Sequence, residues 1–403
     1  MKRIMTLSLS LLVALSCCAQ KPNKKLVKLA QKGDTAAAMQ VARCYLDNPA
    51  ATEQSLAEGY KFLEMVASAG NADAMLELSE LSEKYPFLVQ GDYLVPVLWL
   101  QKAGEAGKAS AYLKLGDWCM GGHPGLPQGE DEARKYYEKA AKAGEGEGWY
   151  RVAKLIGNLE APGSKIPERY TPLKKAADMG HTKAAKEAGI LLFQYKDFDE
   201  SFLAPKYLRM AAEAGDAEAM NYLGRCYSAG LGVEKDNAQK VAWYKNASDA
   251  GNATATFNVG YCYENGEGVQ KDYTEAAKWY AKAAELGDDK SILAEATLYY
   301  KADSPIRDYA KAVPLLAKAK EKNVTGADGM LGMCLLNGWG IEKNEKRGIL
   351  LIEKGTNAYT EQGVECCQAM ARCYREGIVF DKDEERAKNY DRRAAEIEAF
   401  LKN

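Results

Sequence analysis

The chain has 403 residues, and its 54 Lys and Arg stand against 56 Asp and Glu, a net charge of −2. A balanced, interspersed charge of this kind argues against a nucleic-acid surface and suits the solvated outside of helices. With two histidines, and no nucleophile motif or His-Glu-x-x-His in a supporting context, nothing commits the chain to catalysis or to a cofactor.

The first segment reads as an export signal. Lys2 and Arg3 precede an apolar run from Ile4 to Leu15, too short for a membrane span and suited to a signal peptide. It ends in Ser16-Cys17-Cys18, which resembles a bacterial lipobox, where the Cys thiol receives diacylglycerol and becomes the first mature residue. Cys17 fits best and Cys18 is the alternative. Cleavage near Ala19, giving a soluble periplasmic or secreted product, is the other reading. The expected division is a signal peptide with lipobox over 1–17, a tether and N-terminal cap over 18–32, and a single solenoid over 33–403. The expected location is the bacterial cell envelope, lipid-anchored at the outer membrane or facing the periplasm.

From there a unit of about 36 residues recurs, with boundaries at Gly33, Gly70, Gly107, Gly144, Gly180, Gly215, Gly251, Gly287 and Asn323, and a longer last unit near Gln362. A fixed period means small units that stack on their neighbours rather than folding alone. The fold class this predicts is all-α: a right-handed α-solenoid of about ten helix–turn–helix repeats.

The first eight units open with a Gly suited to ending a helix in the left-handed region, followed in Gly33-Asp34, Gly70-Asn71 and Gly215-Asp216 by a residue suited to cap the next one. The first helix of a unit, helix A, carries a stripe such as Met220, Leu223, Gly224 and Tyr227. Glycine recurs inside it at Gly116, Gly224, Gly260 and Gly332, costing about 1 kcal/mol against Ala, so a neighbouring helix is expected close by. A Gly-x-Gly turn follows at Gly230, Gly266 and Gly338; it lacks the phosphate-loop signature and is read as structural. The second helix, helix B, carries alanines around paired aromatics such as Trp243-Tyr244 and Trp279-Tyr280, read as interhelix packing.

These residues resemble the Sel-one-like repeat, a relative of the tetratricopeptide repeat: Leu-Gly-x-x-Tyr in helix A, Gly-x-Gly-Val in the turn, Asp236 or Asp272 downstream, and Ala-x-x-Trp-Tyr in helix B. The match is close in 107–144, 215–287 and 323–356 and degenerate elsewhere. The resemblance implies a monomeric, non-enzymatic scaffold for a protein or peptide partner, with no nucleic acid and no membrane contact beyond the lipid. Some cysteine-rich relatives imply an alternative, binding or hydrolysis of cell-wall fragments or β-lactams. They carry one disulfide per repeat; here Ala247 and Ala283 fill the partner slot. The slot cysteines Cys44, Cys226, Cys262, Cys334 and Cys373 are read as packing residues.

By the tetratricopeptide analogy, the position after the Leu-Gly pair faces a concave groove. The candidate groove residues are Arg43, Glu80, Asp117, Lys154, Arg225, Tyr261, Met333 and Arg372, with Ile190 and Thr297 at the same position in the remaining units. Proline- and aromatic-rich stretches at 85–96, 157–172 and 193–205 interrupt the period; they are read as binding edges or changes of curvature, and glycan handling by Tyr85 and Phe87 is a further alternative. A lone His in a loop, such as His123, is expected in solvent.

Overall fold

The computed structural model describes residues 22–157 and 166–402. Cys17 and Cys18, and residues 158–165 of the interrupting stretch 157–172, lie outside the described residues. Among the described residues there are 21 α-helices, two short 3-10 helices and no strand. After a helix at Lys24–Gln31 they alternate as A and B helices: Thr35–Leu46 and Glu53–Ser68 form the first repeat, Ala217–Ala229 and Asn237–Asp249 the sixth, and Glu361–Glu376 and Glu384–Lys402 the last.

The boundaries fall where the period places them. Gly33, Gly70, Gly107, Gly144, Gly180, Gly215, Gly251, Gly287 and Asn323 all have positive φ, the conformation that ends a helix and turns the chain into the next one. The following residue caps: the Asp34, Asn71, Asp216 and Asn252 side chains accept from backbone N–H groups at 2.8–2.9 Å. Asp236 and Asp272 do the same for their B helices, each accepting from two N–H groups at 2.8–3.0 Å.

Helix A packs on helix B as the internal glycines require. A Cβ on Gly224 would lie 2.6 Å from the Tyr244 ring, and one on Gly260 would lie 2.7 Å from the Tyr280 ring. The second glycine of each Gly-x-Gly turn meets the preceding repeat: Gly232 abuts the Phe202 carbonyl and Gly268 the Asn237 carbonyl. The turn is therefore also a contact between repeats.

The described residues divide into two compact units, one ending at Ala188 and the other beginning at Gly189. In the first, Leu63, Leu78, Leu100 and Leu115 are fully buried between A and B helices. In the second, Leu223, Tyr280, Ile292 and Leu298 hold the same place. Cys226, Cys262, Cys334 and Cys373 are buried free thiols and Cys44 is half-buried, which is the packing role expected of their slot. Among the described residues no helix is long and apolar enough to cross a membrane, and no group of three or more His, Cys, Asp or Glu is placed to hold a metal.

Candidate functional site

Every candidate groove residue lies on an A helix. Arg43, Glu80, Asp117, Lys154, Tyr261 and Arg372 are exposed, and Arg225 and Met333 are half-buried. What the sequence reading missed is how the first four are used. In the N-terminal unit each meets an opposite charge from the next A helix. Arg43 pairs with Glu77 at 2.6 Å, Glu80 with Lys114 at 3.5 Å, Asp117 with Arg151 at 3.1 Å, and Lys154 with Glu187 at 2.6 Å. The partner stands three positions ahead of the next repeat's slot residue, 33 or 34 residues on. Charge complementarity at that spacing was the signal available in the sequence.

These side chains are bound further from below. Tyr137, from helix B, donates to Asp117 Oδ1 at 2.7 Å; burial and this bond push its phenol well above the usual pKa. Tyr150 donates to Glu187 Oε1 at 2.9 Å. The histidines are structural: His181 Nδ1 accepts from Ala184 N–H at 3.1 Å and Nε2 lies 2.7 Å from Glu147. His123, expected in solvent, is instead half-buried, stacked on Trp118 with ring centroids 4.1 Å apart, and burial lowers its pKa.

The C-terminal unit is different. Arg225 and Arg372 have no carboxylate within ion-pairing distance among the described residues, and Tyr261 leaves 47% of its surface in solvent. Met333 and Arg372 line a cleft of about 610 Å³ with Tyr300, Tyr309, Trp339 and Glu365. Tyr309 opens one B helix, Trp339 sits in a Gly-x-Gly turn, and Glu365 and Arg372 lie two turns apart on Glu361–Glu376. Tyr309 and Trp339 stack with centroids 5.0 Å apart and planes 13° apart, and Tyr300 meets both edge-on at 6.0 and 6.3 Å. Burial raises the Tyr300 phenol, and the Glu365 charge raises it further. Desolvation by the surrounding protein raises the Glu365 carboxyl, against the opposing pull of Lys301. The result is an aromatic and thioether wall facing two acidic side chains, Asp303 and Glu365, and two basic ones, Lys301 and Arg372. It can hold an apolar or planar group and orient charges on either side of it. It contains no nucleophile paired with a base.

A stack of A and B helices with such an exposed A-helix face defines the protein class, a solenoid of the tetratricopeptide type, which generally serves as a non-catalytic protein-interaction scaffold. Residues 109–145, 203–216, 217–252, 253–288, 327–358 and 364–397 match the Sel1 repeat, so the chain carries six stretches of that repeat. The match at 203–216 falls in a stretch whose pattern in the sequence is degenerate.

Over 159 residues the chain is 36% identical to DAP3-binding cell death enhancer 1 of Mus musculus, covering 38% of this chain and 30% of that protein. Over 115 residues it is 30% identical to Protein sel-1 homolog 2 of Rattus norvegicus, covering 28% and 17%. It thus spans less than a third of the length of either curated relative. The crystal structure of c5321, a protective antigen of uropathogenic Escherichia coli with the same repeat fold, superposes with a TM-score of 0.64 at 20% identity, covering 94% of this chain and 90% of that one. That likeness establishes the fold.

Proposed function

We propose that this chain is a non-enzymatic scaffold that holds a polypeptide segment along the A-helix face of its C-terminal unit, with the Tyr300–Tyr309–Trp339 cleft as the anchor point. One observation carries this reading. The slot charges of the N-terminal unit are neutralised by the next repeat, whereas the C-terminal unit presents aromatic rings, Met333 and Arg372, which has no carboxylate within 4.0 Å among the described residues. Aromatic residues, Met and Arg are the types enriched at protein interfaces, and a cleft of about 610 Å³ admits one or two side chains rather than a whole domain. The name of the mouse relative is that of a protein-binding protein, which accords with this reading. The N-terminal signal and lipobox support export and anchoring at Cys17, or at Cys18, in a bacterial envelope.

The test places the photo-crosslinking residue p-benzoyl-phenylalanine at position 333 in native cells, with position 278, an exposed site on a B helix, as control. The expected result is a discrete polypeptide adduct at 333 that is lost on Trp339→Ala. Equal labelling at 333 and 278 would overturn the groove reading.

A further inference from the structure

The charge ladder of the N-terminal unit sets a rule that one residue of the C-terminal unit breaks. Lys154 finds its carboxylate 33 residues later, at Glu187. The same spacing from Arg225 leads to Asn258. Asn258 carries no charge, and its Nδ2 donates instead to Asn221 Oδ1 at 3.1 Å. Arg225 is left with no carboxylate within 4.0 Å among the described residues.

Yet Arg225 is not a loose surface side chain. It is half-buried, and its guanidinium carbon lies 4.5 Å from the Phe193 ring centroid and 4.7 Å from that of Tyr222. The two rings support each other edge to face, with centroids 5.4 Å apart and planes at 76°. Phe193 is buried, so the platform is fixed. A guanidinium beside aromatic rings is held by their π electrons without spending its N–H donors, which remain for an acceptor. Lys196 places a second positive charge over Phe193 at 5.6 Å. The slot of the next repeat holds the exposed Tyr261. A cation that is preoriented, half-desolvated and without a counter-ion is a receptor for a planar anion, and a carboxylate fits it in bidentate fashion.

We propose that Arg225 binds an Asp or Glu side chain of the polypeptide held on this face, the partner supplying the carboxylate that position 258 lacks. This rests on the scaffold reading above and names the chemistry of its partner: an acidic segment.

The test uses a library of random twelve-residue peptides displayed with their C-termini fused to the phage coat, so that only side-chain carboxylates are offered. Panned on the purified protein, the library should yield peptides with Asp or Glu at a fixed position. For a resynthesised peptide, fluorescence anisotropy should show at least tenfold weaker binding to Arg225→Gln and a smaller loss for Arg225→Lys. Changing the acidic residue of the peptide to its amide should cost the same as Arg225→Gln, and the two changes together no more than either alone. Phe193→Leu, which keeps the charge and removes one ring of the platform, should weaken binding part-way, and thermal melts confirm that each variant is folded. Peptides that bind wild type and Arg225→Gln alike, or that contain no acidic residue, would overturn this site and leave the scaffold reading standing. Failure to enrich any peptide would overturn both.

Discussion

Arg43 and Glu77 face each other across consecutive A helices, joined by two parallel bonds, Nη1 to Oε1 at 2.6 Å and Nη2 to Oε2 at 2.7 Å. The arginine side chain is 45% exposed and the glutamate 23%, so solvent screens much of the attraction. Arg43→Gln should therefore cost only about 0.5–1 kcal/mol. Glu77→Lys, which sets two cations together, should cost more, and the difference between the two variants should shrink at high salt. Urea denaturation at low and high ionic strength reads both. A loss of several kcal/mol for Arg43→Gln would show that the ladder holds the repeats together rather than setting their surface charge.

Lys240 behaves in the opposite way. Its side chain is 3% exposed, and its Nζ lies 2.5 Å from Glu267 Oε2, in the Gly-x-Gly turn of the next repeat. Removing Glu267 leaves a desolvated ammonium without a partner, whereas replacing Lys240 with an apolar chain of similar length removes the charge itself. Glu267→Gln should cost about 2–3 kcal/mol, softened because the glutamate reaches solvent, and Lys240→Met should cost less. Equal losses would mean that packing of the lysine stem, not its charge, matters there.

These two pairs show what a sequence discloses. The repeat boundaries were legible because Gly215 or Gly251 must take a positive φ and Asp216 or Asn252 must cap, and both demands are local. The exposure of Arg43, Glu80, Asp117 and Lys154 followed from the likeness to the tetratricopeptide repeat. Their neutralisation did not, because it depends on a residue one repeat away. The burial of Lys240 was hidden for the same reason, since its counter-ion comes from the following turn. The aromatic cleft was obscured because Tyr300 and Tyr309 belong to the degenerate repeat 287–323, and Trp339 reaches them from a turn read only as a chain reversal.

Gly260 tests whether close packing outweighs helix propensity. Alanine is favoured in a helix by about 1 kcal/mol, but its Cβ would lie 2.7 Å from the buried Tyr280 ring. Overpacking a rigid ring costs about 1–3 kcal/mol, so Gly260→Ala should destabilise despite its better propensity. In the Tyr280→Leu background the ring is gone, and the same change should become neutral or favourable. A thermal-melt double-mutant cycle reads the sign of the coupling, and additive effects would mean that the ring simply moves aside.

The buried thiols give a pH signature. Burial pushes Cys226, Cys334 and Cys366 up to about 12, whereas an unfolded thiol titrates near about 8.5. The folded state therefore holds these protons more tightly. The stability this contributes is complete below the unfolded pKa and is lost as pH rises from there towards about 12. Each such thiol should remove up to about 1.4 kcal/mol per pH unit once the unfolded thiol ionises. Urea denaturation across the range from about pH 7.5 to about pH 9.5, below the ordinary tyrosine pKa, should show stability falling, with a flatter slope when the three cysteines are replaced by alanine. The folded protein should also leave these thiols unreactive to a thiol reagent at mildly alkaline pH.

The last prediction concerns the N-terminus, where the residues themselves are the only guide. Ser16 precedes Cys17, whereas Cys18 is preceded by Cys17, a poorer residue at the position that favours a small side chain. Metabolic labelling with an alkyne fatty acid should therefore mark the wild-type chain and leave Cys17→Ala unmarked. The unmodified variant should then lose its association with the membrane fraction, since only the N-terminal lipid is proposed to provide it. Labelling that survives Cys17→Ala but not Cys18→Ala would move the attachment by one residue. Labelling of neither the wild type nor any variant would point to ordinary cleavage near Ala19 and a soluble product, and the scaffold would then meet its partner free of the membrane.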